Sequence, residues 1–209
     1  MKPVDVLRYV ELAILFIGIP LAYLFDIFPG HKSMLLLVVF VIMLTYLLKS
    51  KSFNNKELGL NSFMGWKMMS LRLAIAAVII LITTYTFLPD YLFYLPKHNP
   101  FLWLMIMLFY PLWSAFTQEL IYRSFFFHRY SMLFKNSKVK SVVNGILFGF
   151  LHIIFANWIA VLGATLIGIV WAFSYAKHRS LLAIAIEHAI VGNLLYTIGL
   201  GQLFYTPDF

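Results

Sequence analysis

Few side chains in this 209-residue sequence combine an apolar setting with the ability to move protons or hold an ion, and they lie in its second half. Glu119 and Arg123 stand four apart in one apolar run, His152 lies deep in the next, and Glu187 and His188 sit side by side in the last. A charge in the bilayer core costs a few kcal/mol or more, so such residues need partners and often mark a site. A carboxylate with two imidazoles can orient water and relay its protons. The same Glu119, His152 and His188 set could instead hold Zn²⁺ with one position left open for water. The chain has no cysteine, which excludes disulfides, thiolate zinc sites and a cysteine nucleophile.

Each of these residues also has a plainer reading. Glu119 and Arg123 share a helix face and can neutralise each other as a structural pair. A lone histidine in a membrane helix serves more often as an inter-helix hydrogen-bond partner than as a catalyst. Glu187 can bridge helices, or meet Arg179 or water. Glu11, near the cytoplasmic end of the first run, can reach water. What favours a site is that one shared explanation is more economical than several separate ones.

The elements that must position these groups are membrane helices. Of all residues 62% are hydrophobic and 11% charged, with mean hydropathy +0.88; a soluble domain is roughly half apolar and about a quarter charged. The expected fold class is therefore all-α, a polytopic transmembrane helical bundle. A helix crosses the hydrocarbon with about 20 residues, and apolar runs near that length stand at 6–25, 33–48, 68–88, 100–127, 141–155, 157–176 and 181–200. That predicts about seven spans, within a range of six to eight, in a single domain over 1–209. The first run follows Lys2 and Arg8 without a small-residue cleavage site and reads as an uncleaved span. A tight connection is expected at Ala156–Asn157. Gly145 and Gly149, with Ala164 and Gly168, are spaced for close helix packing.

The net charge of +8 marks topology, not nucleic acid, because the basic residues sit between the apolar runs. With seven spans, all sixteen Lys and Arg except Lys32 and Lys97 fall on one side. The positive-inside rule then makes the N-terminus cytoplasmic and the C-terminus external. At 1.5 Å per residue, Glu119, His152 and His188 lie roughly 15, 16 and 12 Å below that face. The matched depth predicts that they converge to about 3 to 7 Å, one water's reach. Asn144, Phe148 and His152 share a face, whereas Glu187 and His188 point about 100° apart.

These residues and spacings resemble the CPBP family of intramembrane endopeptidases, which includes the type II CAAX prenyl proteases and the bacteriocin-associated Abi proteins. The family's Glu-Glu-x-x-x-Arg is matched by Gln118-Glu119-Leu-Ile-Tyr-Arg123, its Phe-x-x-x-His by Phe148 to His152, and its histidine followed four residues later by asparagine by His188 to Gly192-Asn193. The match covers about 112–193, within a motif-bearing core of about 100–200. Two positions depart from the pattern: Gln118 replaces the glutamate usually assigned as base, and Asn193 comes one residue late. On a regular helix Asn193 points roughly 140° from His188, so convergence requires unwinding that Gly192 could permit.

The resemblance implies glutamate-dependent hydrolysis of a membrane-associated peptide or protein in a bacterial inner membrane, among lipid and without nucleic acid. Glu119, with His152, would orient water; Arg123 would fix the carboxylate; His188 and Asn193 would donate to the oxyanion; Gln118 could only bind or orient. The cofactor is none in that chemistry, or zinc on Glu119, His152 and His188. The alternatives are a catalytically inactive binding partner or chaperone on the same fold, and a proton-coupled transporter, which the absence of an evident internal repeat disfavours.

Overall fold

Asparagine marks where three of the long helices begin. Asn99 accepts from the Leu102 amide at 3.1 Å, Asn136 from the Lys138 amide at 2.8 Å, and Asn157 from the Ile159 amide at 3.0 Å. In each case the side-chain oxygen satisfies an amide that the first turn leaves unpaired. The computed structural model describes residues 3–27, 32–60 and 66–204; Lys2 and the C-terminal Phe209 lie outside them. Among the described residues six helices are long and apolar enough to span a membrane: α1 (Asp5–Leu24), α3 (Lys67–Phe87), α4 (Pro100–Arg129), α5 (Ser137–Phe155), α6 (Trp158–His178) and α7 (Leu181–Ile198). A shorter apolar helix, α2 (Met34–Lys49), joins them. No strand occurs among the described residues. The protein is a polytopic helical bundle and an integral membrane protein, as the apolar runs predict.

The tight connection between α5 and α6 is present. α5 ends in a narrow turn, His152–Phe155; Ala156 turns the chain at φ 51°, and Asn157 caps α6. That hairpin brings the small residues together. A Cβ on Gly145 would lie 2.5 Å from the Ile169 backbone nitrogen, and one on Gly149 would lie 2.8 Å from the Thr165 Cα. Only hydrogen at these positions lets the two backbones approach so closely. The seam therefore fixes α5, which carries Phe148 and His152, against α6.

Two ion pairs tie the outer helices to this core. Arg129, at the end of α4, grips Glu11 of α1 through two nitrogens at 2.6 and 3.0 Å, and the Tyr130 hydroxyl donates to the same carboxylate at 3.0 Å. Glu11 is thus paired within the protein while part of its side chain stays at the surface. Glu187 of α7 pairs with Arg72 of α3. The bridging role open to it is the one it takes, with Arg72 as partner in place of Arg179.

Candidate active site

α4 is an irregular helix, and Pro111 begins the irregularity. Proline has no N–H and its ring clashes with the carbonyl four residues back, here Met107. The helix answers with wide, π-type turns at Pro111–Phe116 and again at Leu120–Phe125, on either side of Thr117–Glu119. Wide turns of this kind are frequent at functional sites because they re-aim the side chains that follow. The freed Met107 carbonyl is not left bare: Asn193 of α7 donates its Nδ2 to it at 3.3 Å.

Glu119 and Arg123 are both fully buried, at 0% exposure, and are held within one polar chain. Arg123 Nε donates to Glu119 Oε2 at 2.7 Å, and Arg123 Nη1 donates to Asn144 Oδ1. Asn144 in turn donates to the Tyr122 carbonyl at 2.6 Å. The other Glu119 oxygen, Oε1, lies 2.8 Å from His188 Nδ1. A carboxylate only accepts, so that nitrogen carries the proton. Nε2 of a neutral His188 is then an acceptor, and the Tyr110 hydroxyl reaches it at 3.0 Å. Buried charges persist when paired and hydrogen-bonded, and this chain does both.

His152 is fixed differently. Its Nδ1 lies 2.9 Å from the Phe148 carbonyl, which can only accept, so the proton again sits on Nδ1 and Nε2 is left as a basic lone pair. Phe148 is the hub between the two imidazoles, with ring centroids 5.1 Å from His152 and 5.6 Å from His188. The Arg123 guanidinium sits over the same ring at 5.0 Å. Trp171 of α6 stacks on His188 at 4.7 Å and 28°. The phenylalanine of the second motif therefore acts as the surface against which histidines and arginine are ordered.

These groups border a cavity of about 1200 Å³ with a largely apolar lining. Tyr110, Ser114, Gln118, His152 and His188 line it, whereas Glu119 and Asn193 do not. Gln118 donates through Nε2 to Ser114 Oγ at 2.8 Å, and its carbonyl Oε1 is buried without a partner. Glu119 and His188 thus converge directly, and His152 joins them across Phe148. Arg123 anchors Glu119. Asn193 stays apart, because α7 runs unbroken through Gly192 and no unwinding turns it toward His188.

The donor set does not fit a zinc ion as arranged. Both Glu119 oxygens and both His188 nitrogens already have partners, and among the described residues no three His, Asp or Glu side chains are grouped to hold a metal. Sequence reasoning missed Tyr110, Ser114 and Trp171 as site residues and named Asn144 only for its face. Tyr110, Ser114 and Gln118 are spaced four apart, a signal that extends the motif back along α4.

Residues 100–194, which contain all of this machinery except Arg72, match the family model described as type II CAAX prenyl endopeptidase Rce1-like. The motif-bearing part of the chain is similar to that family. Neither a curated protein nor a solved structure matches the chain. The matched stretch contains the three motifs that carry the resemblance to CPBP endopeptidases.

Proposed function

We propose that this protein hydrolyses a membrane-associated peptide or protein within the bilayer, using water activated in the cavity that Gln118 and His152 line. The observation that carries this reading is the buried chain Arg123–Glu119–His188–Tyr110, which begins at a fixed guanidinium and ends at the cavity. In this reading Glu119 is a positioning residue. Its two oxygens hold Arg123 and His188, so it sets the tautomer and orientation of His188 and takes no proton from water. His152 Nε2 accepts a proton as the water oxygen bonds to the scissile carbonyl carbon, and the carbonyl electron pair moves to oxygen. Collapse of that intermediate breaks the C–N bond, and the proton on His152 passes to the leaving amine. The Gln118 carbonyl orients the water without taking its proton, since an amide lacks the basicity.

A second reading, a non-catalytic member that binds peptide, is favoured by one residue: Gln118 supplies no base in the cavity. A cleavage assay separates the two. The protein in phospholipid vesicles is given a fluorogenic peptide joined to an apolar anchoring segment. Slow cleavage by wild type, reduced about 10²-fold or more by His152→Ala, is the expected result. Saturable peptide binding without cleavage in wild type and in Gln118→Glu would establish the non-catalytic reading instead.

A further inference from the structure

The polar chain ends on a residue that the three motifs do not include. Tyr110 lies eight residues before Gln118 on α4, and its hydroxyl is 3.0 Å from His188 Nε2 at the cavity wall. Its ring occupies a space that exists because residue 192 has no side chain: a Cβ on Gly192 would fall 2.1, 2.3 and 2.4 Å from the Tyr110 Cε1, Cζ and hydroxyl oxygen. No rotation of the Gly192 position relieves such overlap, so Gly192 and Tyr110 fit only as a pair. An edge-on contact with Tyr196, with centroids 5.8 Å apart, holds the ring from the other side.

The geometry points to Tyr110 as a catalytic residue that donates its hydroxyl hydrogen bond to the substrate's carbonyl oxygen as negative charge develops there. His188 cannot make that contact itself, because both its nitrogens are engaged. A hydroxyl has one proton and two lone pairs. Against a neutral His188 the Tyr110 proton is spent on Nε2. As the substrate's carbonyl oxygen takes on charge it becomes the stronger acceptor, and rotation about the phenol C–O bond turns the same proton from Nε2 to that oxygen, with no proton transferred.

This inference rests on the endopeptidase reading, and its test keeps the two apart. Tyr110→Phe retains the ring on Gly192 and removes only the hydroxyl. In the vesicle cleavage assay kcat is expected to fall by about 10²- to 10³-fold, the usual loss for one oxyanion donor, with KM within about threefold of wild type. Gly192→Ala drives the ring from its place and is expected to lower kcat by a similar factor. An active wild type with Tyr110→Phe within about twofold of it in kcat would overturn the role of Tyr110 alone, as would a change confined to KM. A wild type that binds the peptide without cutting it would overturn the endopeptidase reading, and this inference with it.

Discussion

Gln118→Glu is the substitution on which the proposed chemistry turns. The present amide donates Nε2–H to Ser114 Oγ at 2.8 Å and leaves Oε1 buried without a partner. A glutamate cannot donate there, but the Ser114 hydroxyl can reverse and donate to the carboxylate, so the local hydrogen bond survives. The formerly idle oxygen becomes a base on a residue that lines the cavity. The adjacent carboxylate, Glu119, is already compensated by Arg123 at 2.7 Å, which limits repulsion between the two. Adding a positioned general base is worth about 10²- to 10⁴-fold in rate, and hydrolysis of the anchored peptide should rise within that range at equal expression. The cost falls on stability: an extra buried charge without a cation of its own removes a few kcal/mol, read as a lower unfolding temperature in detergent. A Gln118→Glu protein that remains folded yet cleaves no faster than wild type would refute the placement of the water beside residue 118.

Other consequences follow from the packing and the charge pattern. Gly149→Ala must part α5 from α6, since its Cβ would meet the Thr165 Cα at 2.8 Å; it should destabilise by about 1–3 kcal/mol, measured by thermal unfolding. Asn193→Ala uncovers the Met107 carbonyl and should cost about 1 kcal/mol while leaving kcat within about threefold of wild type, so a 100-fold loss of kcat would return Asn193 to the oxyanion role. Reporter fusions at Asn55 and Ser137 should read as cytoplasmic, and one at Phe209 as external, given the concentration of Lys and Arg on one side; an external Ser137 would sink that orientation.

The helices were legible because a membrane leaves little latitude: only an apolar run near span length can cross, and the boundaries read from hydropathy agree with the structure to within a few residues. The meeting of Glu119 with His188 was legible for a related reason, since depth is fixed by rise per residue. Direction was harder. The wide turns of α4 shift the angle at which side chains emerge, so a regular 100° step carried across them misplaces Tyr110 relative to Gln118 and Arg123. Tyr110 was hidden by its setting, because a tyrosine in an apolar run reads as packing or as an interface anchor. Its role depends on a hole at Gly192, on another helix, that no spacing along α4 can report. For Asn193, sequence could not supply the Met107 carbonyl, four residues before Pro111, that gives it its partner.

The electrostatics explain how the site can exist without water around it. Glu119 and Arg123 cancel inside one helix, and a neutral His188 adds no charge, so the buried chain is net neutral and each member is hydrogen-bonded to the next, although Arg123 Nη2 has no hydrogen-bond partner. A membrane interior tolerates that arrangement far better than an isolated ion. Gln118 continues the same logic at the cavity wall, where a carboxylate would have no cation to meet. Arg72, the nearest candidate by cavity lining, already pairs with Glu187 across α3 and α7. The amide therefore keeps an apolar cavity free of fixed charge, which favours entry of an apolar segment, and it does so by giving up the strongest base the position could hold. Catalysis under that constraint must draw its polarity from groups that gain charge or re-aim a dipole only during turnover. At the cavity wall His152 can do the first and the Tyr110 hydroxyl the second.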